Sequence, residues 1–161
     1  MNRYWDSVCF LGWLMAEPNK VDACQGVVQA AQAGEIKIVT SALTLTEVIK
    51  LKNHPLLKEE DENKIDLFFQ NDFIVIRNVD RFVAEYARRL IWAYPHLKPK
   101  DSIHAATAIM SGADVLDTFD GDLLRLDGQI GNPGLRITIP DMQYQTTIED
   151  IEVTTTDESD E

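Results

Sequence analysis

Short apolar runs alternate with longer stripes at helical spacing along most of the chain. "NRYWDS" predicts a strand that ends at Asp6, and residues 7–15 and 19–33 predict helices, with Pro18 and Asn19 between them and Gly34 as a stop. "IKIVTS" (36–41) predicts a second strand, followed by a helix through "LTEVIKLK" and another over 58–70. "FIVIRN" (73–78) predicts a third strand, and residues 79–94 a helix with one apolar stripe. After a loop holding Pro95 and Pro99 come a helix over 100–111, a strand over 114–118, a short helix over 120–126 and a last strand near 135–139. Strands that alternate with helices predict an α/β fold with a parallel sheet covered on both faces.

Composition adds one domain of ordinary apolar content, 45% of 161 residues. The longest apolar run, "VCFLGWLMA" (8–16), falls well short of a membrane span. It also lacks the basic flank and cleavage site of a signal peptide, so a cytoplasmic protein with no membrane partner is expected. Cys9 and Cys24 are the only cysteines and are expected as free thiols. With no CxxC and only scattered His54, His96 and His104, zinc has no pattern to bind.

Net charge is −12, which argues against nucleic acid until its distribution is read. Residues 141–161 carry eight acids and no base; the other 19 acids face 15 bases, a net of −4. Any RNA contact must therefore use a local patch. The expected organisation is a domain over 1–142 and an acidic, flexible tail over 143–161.

Ligands of an open parallel sheet bind outside the carboxyl ends of its strands. Asp6 ends the first strand, Glu47 lies in the helix after the second, Asp101 opens a later helix, and Asp120 follows "DVLDT". Four acids distant in sequence thus point to one edge, where they would repel one another without a cation. Each also has a local explanation. Asp6 suits a helix N-cap; Thr44 and Glu47 have capping-box spacing; Asp101 sits in a first turn; Asp120 and Asp122 suit a cap and a first-turn acid around Gly121. His104, one turn past Asp101, reads as a hydrogen-bonded helix residue before a ligand or acid–base group. Trp5, Trp13 and Trp92 read as core. Arg88, Arg89, Lys98 and Lys100 flank the Asp101 loop and are candidate phosphate contacts or an ordinary solvated face.

The joint order of the acids carries more than any one of them. "YWDS", "SALTLTEV", "KPKDSIHAATAIMSGADVLDTFDGDLL" and a strand near the end together resemble a PIN domain, and within it the VapC toxins of bacterial toxin–antitoxin pairs, over residues 2–140. The resemblance implies a PIN-like three-layer fold, a parallel β-sheet of about five strands flanked by helices on both faces. It implies Asp6, Glu47, Asp101 and Asp120 as catalytic acids, with Asp6, Asp101, Asp120 and Asp122 on the metal, and Ser7 and Thr118 as supporting hydroxyls.

Oxygen-only donors select a hard ion, Mg²⁺ or Mn²⁺. The implied activity is metal-dependent endoribonuclease, with an RNA substrate, a cognate antitoxin and a homodimer as partners. Val8 stands where the family commonly has a small polar residue, and the acidic tail runs past the domain's usual end. A non-catalytic PIN module that binds RNA or protein is therefore kept as the alternative. A haloacid-dehalogenase-type phosphatase needs Asp-x-Asp after the first strand, where Asp6 is followed by Ser7 and Val8.

Overall fold

The computed structural model describes residues 1–142, so the tail expected over 143–161 lies outside the described residues. In chain order the elements are β1 (Asn2–Trp5), α1 (Ser7–Leu14), α2 (Lys20–Gln32), β2 (Lys37–Ser41), α3 (Ala42–Glu47) and α4 (Glu59–Phe69). They continue with β3 (Ile74–Arg77), α5 (Arg81–Ala93), α6 (Pro99–Met110), β4 (Val115–Asp117), α7 (Gly121–Leu124) and β5 (Arg136–Thr138). The five strands form one sheet in the order β3-β2-β1-β4-β5, with every neighbouring pair parallel. The expected α/β three-layer architecture is the one observed. Among the described residues, no helix is long and apolar enough to cross a membrane.

Alternation along the strands sorts the core into two layers. Trp5, Ile38 and Ile74 face one side, where Cys9, Phe10 and Leu14 of α1, Val27 and Val28 of α2, and Ile65 of α4 cover them. Tyr4, Val39, Leu116 and Ile137 face the other, under Val83, Ala87 and Leu90 of α5 and Ala105, Ala106 and Ala108 of α6. Phe10 meets Trp5 edge-on with ring centroids 5.3 Å apart, and burying a side chain of this size stabilises by about 1.5–3 kcal/mol. The small residues of α6 let it lie close to both α5 and the sheet, which leaves nearly all of its faces covered. Trp92, expected in the core, is 75% exposed on the outer face of α5.

The helix expected through 45–52 forms earlier and stops sooner. Ser41 ends β2 and caps α3 directly, its Oγ accepting from the Leu43 amide at 3.1 Å. Thr44 is then a buried residue within the helix, its hydroxyl 2.7 Å from that of Thr40, and it caps nothing. The capping-box reading of Glu47 fails for this reason. Glu47 is the last residue of α3, and the chain leaves helical geometry at the buried Val48.

Candidate active site

The strand order reverses between β1 and β4, and in open parallel sheets the ligand crevice lies at such a point, outside the carboxyl ends of the strands. Trp5 is in register with Asp117, so the residues just past both strands, Asp6 and Thr118, emerge side by side. Asp6 is the N-cap of α1, one carboxylate oxygen accepting from the Val8 and Cys9 amides at 3.1 Å each. Its other oxygen accepts from the Thr118 hydroxyl at 2.5 Å. Thr118 Oγ1 in turn accepts from the Asp120 amide at 3.0 Å, and Asp120 caps α7 through Asp122 N and Leu123 N. One hydroxyl therefore joins the acids that follow β1 and β4. The local and the functional explanations of Asp6 and Asp120 are not exclusive, because each spends one oxygen on a cap.

Thr118 is fully buried. Thr118→Val keeps its shape but strips Asp6 of a donor and the Asp120 amide of its acceptor. The expected cost is about 1–3 kcal/mol in urea unfolding, with Thr118→Ser near wild type. Equal midpoints for the Val and wild-type proteins would contradict the bridge.

Burial pushes the Asp6 carboxyl up, against the pull of His104 and of its own hydrogen bonds. Asp101 occupies the first turn of α6 behind Pro99 and is also raised, first by burial and then by the charge of Asp120. Among the described residues its carboxylate has no hydrogen bond or ion pair to another side chain.

Glu47 differs. His104 Nε2 lies 2.6 Å from its Oε1, and Lys100 Nζ 3.5 Å from its Oε2. Burial raises this carboxyl, but the hydrogen bond and charge of His104, with Lys100, outweigh it and hold Glu47 below the usual range.

The remaining candidates divide. Ser7 is buried beside Asp6 at the start of α1. Asp122 turns outward to an exposed pair with Arg125 at 3.4 Å. Lys100 reaches the crevice through Glu47, while Lys98 is the exposed residue preceding α6. Arg88 and Arg89 line a shallow groove of about 300 Å³ with Glu85 and Trp92, a groove that none of these acids lines. His104 is the hydrogen-bonded helix residue expected, but one of its partners is the candidate acid Glu47, which the sequence did not show. What the sequence does hold is the i, i+4 spacing from Lys100 on α6, which puts both on one face.

A donor set of carboxylates fits a hard divalent ion, and the mutual repulsion of Asp101 and Asp120 is what such an ion would relieve. Among the described residues, no group of three or more His, Cys, Asp or Glu side chains is drawn together in a way that could hold a metal ion.

Comparison with curated protein sequences returns no significant match. Solved structures resemble the chain throughout the domain. A chain of the VapBC2 complex of Rickettsia felis, bound to a DNA fragment from its promoter, superposes with a TM-score of 0.61 at 19% identity, over 85% of this chain and 97% of that one. VapC20 of Mycobacterium tuberculosis, a toxin that cleaves the sarcin–ricin loop, gives 0.60 at 14% identity, over 74% and 91%. A toxin–antitoxin complex from Klebsiella pneumoniae gives 0.57 at 21%, over 86% and 97%. At these identities the likeness speaks to the fold. The model of the PIN domain family matches residues 4–129, from the β1 aromatics to the turn beyond α7, and the chain belongs to that family.

Proposed function

We propose that the protein is a metal-dependent endoribonuclease acting as the toxin of a toxin–antitoxin pair. The observation that carries this reading is the set of acids at the reversal point of the sheet: the Thr118 hydroxyl joins buried Asp6 to the Asp120 amide, and the charge of Asp120 helps push up the carboxyl of Asp101. The solved structures of similar fold, which are toxins and toxin–antitoxin complexes, support the biological role. Asp6, Glu47, Asp101 and Asp120 would hold Mg²⁺ or Mn²⁺, with Asp122 assisting. When bound, such an ion makes water a nucleophile near neutral pH and offsets charge on the phosphate and leaving oxygen.

The protein's own residues do the rest. Thr118 and the α1 amides fix which oxygen of Asp6 faces the crevice, and the α7 cap does the same for Asp120. Glu47 lines the edge, one oxygen paired with Lys100 and the other hydrogen-bonded to His104. Lys98 and Lys100 stand at the mouth as phosphate contacts, with Arg88 and Arg89 at most an outlying part of the RNA path. An antitoxin and a second copy of the chain complete the assembly.

Cleavage of a mixed single-stranded RNA pool is the test. Products are expected with Mn²⁺ or Mg²⁺ and none with EDTA. Metal at one hundred times its dissociation constant should also stabilise the fold by about 2.7 kcal/mol, read as a rise in melting temperature. Expression in a bacterial host should arrest growth. A folded protein that neither binds metal nor cuts RNA would leave the non-catalytic PIN module as the reading.

A further inference from the structure

His104 is buried between two partners, Tyr4 of β1 at Nδ1 (2.7 Å) and Glu47 of α3 at Nε2 (2.6 Å). The proton arrangement follows from these contacts. A carboxylate oxygen only accepts, so Nε2 must carry a hydrogen, or two lone pairs would face each other at 2.6 Å. The other ring nitrogen then exchanges one hydrogen bond with the Tyr4 hydroxyl, which fixes the tilt of the ring. Tyr4 is itself fully buried on the α6 side of the sheet, with no freedom to move aside.

Glu47 needs such a hold. It is the last residue of α3, where helix carbonyls disfavour a negative charge, and the chain turns away directly after it. Lys100 and His104, one turn apart on α6, grip its two oxygens, while Asp101 between them takes no side-chain partner among the described residues.

We infer that His104 is a positioning residue: braced by Tyr4, it fixes the Glu47 carboxylate at the crevice, so that Glu47 is oriented by the protein before any metal arrives. The catalytic consequence rests on the nuclease reading above; the arrangement of the three side chains does not. Groups that orient a metal site's carboxylates from behind typically matter by about 10–100-fold in affinity or rate. Loss of His104 frees Glu47 to swing toward Lys100, and the crevice loses its fixed geometry without losing its RNA-binding face.

The test has three arms on the full chain. In metal-free protein labelled with ¹⁵N-histidine, the His104 ring is expected to show a slowly exchanging Nε2 proton, assigned by its absence in His104→Gln. That signal should be lost in Glu47→Ala and shifted in Tyr4→Phe. By calorimetry, His104→Ala should weaken Mn²⁺ binding by about tenfold or more, with His104→Gln, which restores one N–H donor, within about threefold of wild type. In RNA cleavage the Ala variant should lose kcat with little change in KM, and Gln should recover it.

A fast-exchanging ring proton, a signal indifferent to Glu47→Ala, or equal Mn²⁺ defects in the Gln and Ala variants would overturn the inference. If wild type neither binds Mn²⁺ nor cleaves RNA, the nuclease reading fails by itself, and the ring-proton arm alone decides the Tyr4–His104–Glu47 arrangement. If His104→Ala does not fold, the Gln and Tyr4→Phe proteins carry the comparison.

Discussion

Asp101→Asn is expected to reduce RNA cleavage by about 10³-fold or more while the protein stays folded. The metal's contribution to the transition state is worth several kcal/mol, and each tenfold in rate corresponds to about 1.4 kcal/mol. Among the described residues Asp101 is the acid of this set with the fewest obligations to the fold: it caps no helix and pairs with no base, unlike Asp6, Asp120 and Glu47.

The stability prediction has a definite sign. Burial and Asp120 hold the folded-state value of Asp101 above its ordinary 3.8, so the folded protein binds this proton more tightly than the unfolded chain does. Stability then falls as pH rises out of the ordinary carboxylate range toward the raised value, and the deficit persists above it. Removing the charge should leave the metal-free Asn variant at least as stable as wild type at neutral pH, and the stabilisation by Mn²⁺ should disappear. An active Asn variant, or one destabilised without metal, would sink the assignment.

Arg3→Ala is expected to be the most damaging single change to the fold, at about 3–5 kcal/mol in urea unfolding. Arg3 and Asp117 form a bidentate pair inside the molecule, Nε to Oδ2 at 2.8 Å and the terminal nitrogen to Oδ1 at 2.5 Å, with side chains 5% and 0% exposed. Trp5 Nε1 donates to the same carboxylate at 3.0 Å. Truncating Arg3 leaves a buried charge with one neutral donor, against a total stability of about 5–15 kcal/mol for a domain of this kind. Replacing both partners by apolar residues, Arg3→Met with Asp117→Leu, should cost much less than Arg3→Ala, because no charge is then stranded. A double variant as unstable as the single one would show that the pair's shape matters more than its charge. Asp117 thus differs from the acids beside it in "DVLDTFDGD": it fastens β4 to β1 and faces no crevice.

That contrast shows how far local pattern carries. Strand and helix alternation was legible because apolar spacing directly encodes which face is buried, and both layers of the core follow from it. The positions of Asp6, Asp101 and Asp120 were legible as well, since caps and first turns have sequence signatures and parallel sheets bind ligands at one edge.

The partners of these acids were not. His104 meets Glu47 across 57 residues and Arg3 meets Asp117 across 114, and neither spacing leaves a periodic trace. The local explanation of Glu47 failed for a related reason. "TLTE" matches a capping box, but the helix start had already been taken by Ser41 at the end of β2. The early stop of α3 is a tertiary effect too: "VIKLK" would continue a helix by propensity, and burial of Val48 turns it aside.

The hydroxyl bridge from Thr118 to Asp6 spans 112 residues. Asp6 leaves the ribosome 112 residues ahead of Thr118, and its second oxygen lacks that donor until β4 has been made and has inserted beside β1. Contacts of such separation form late, after the local helices. A nascent chain therefore carries these acids unassembled through most of the domain's synthesis, and the crevice takes shape only when nearly the whole domain has emerged.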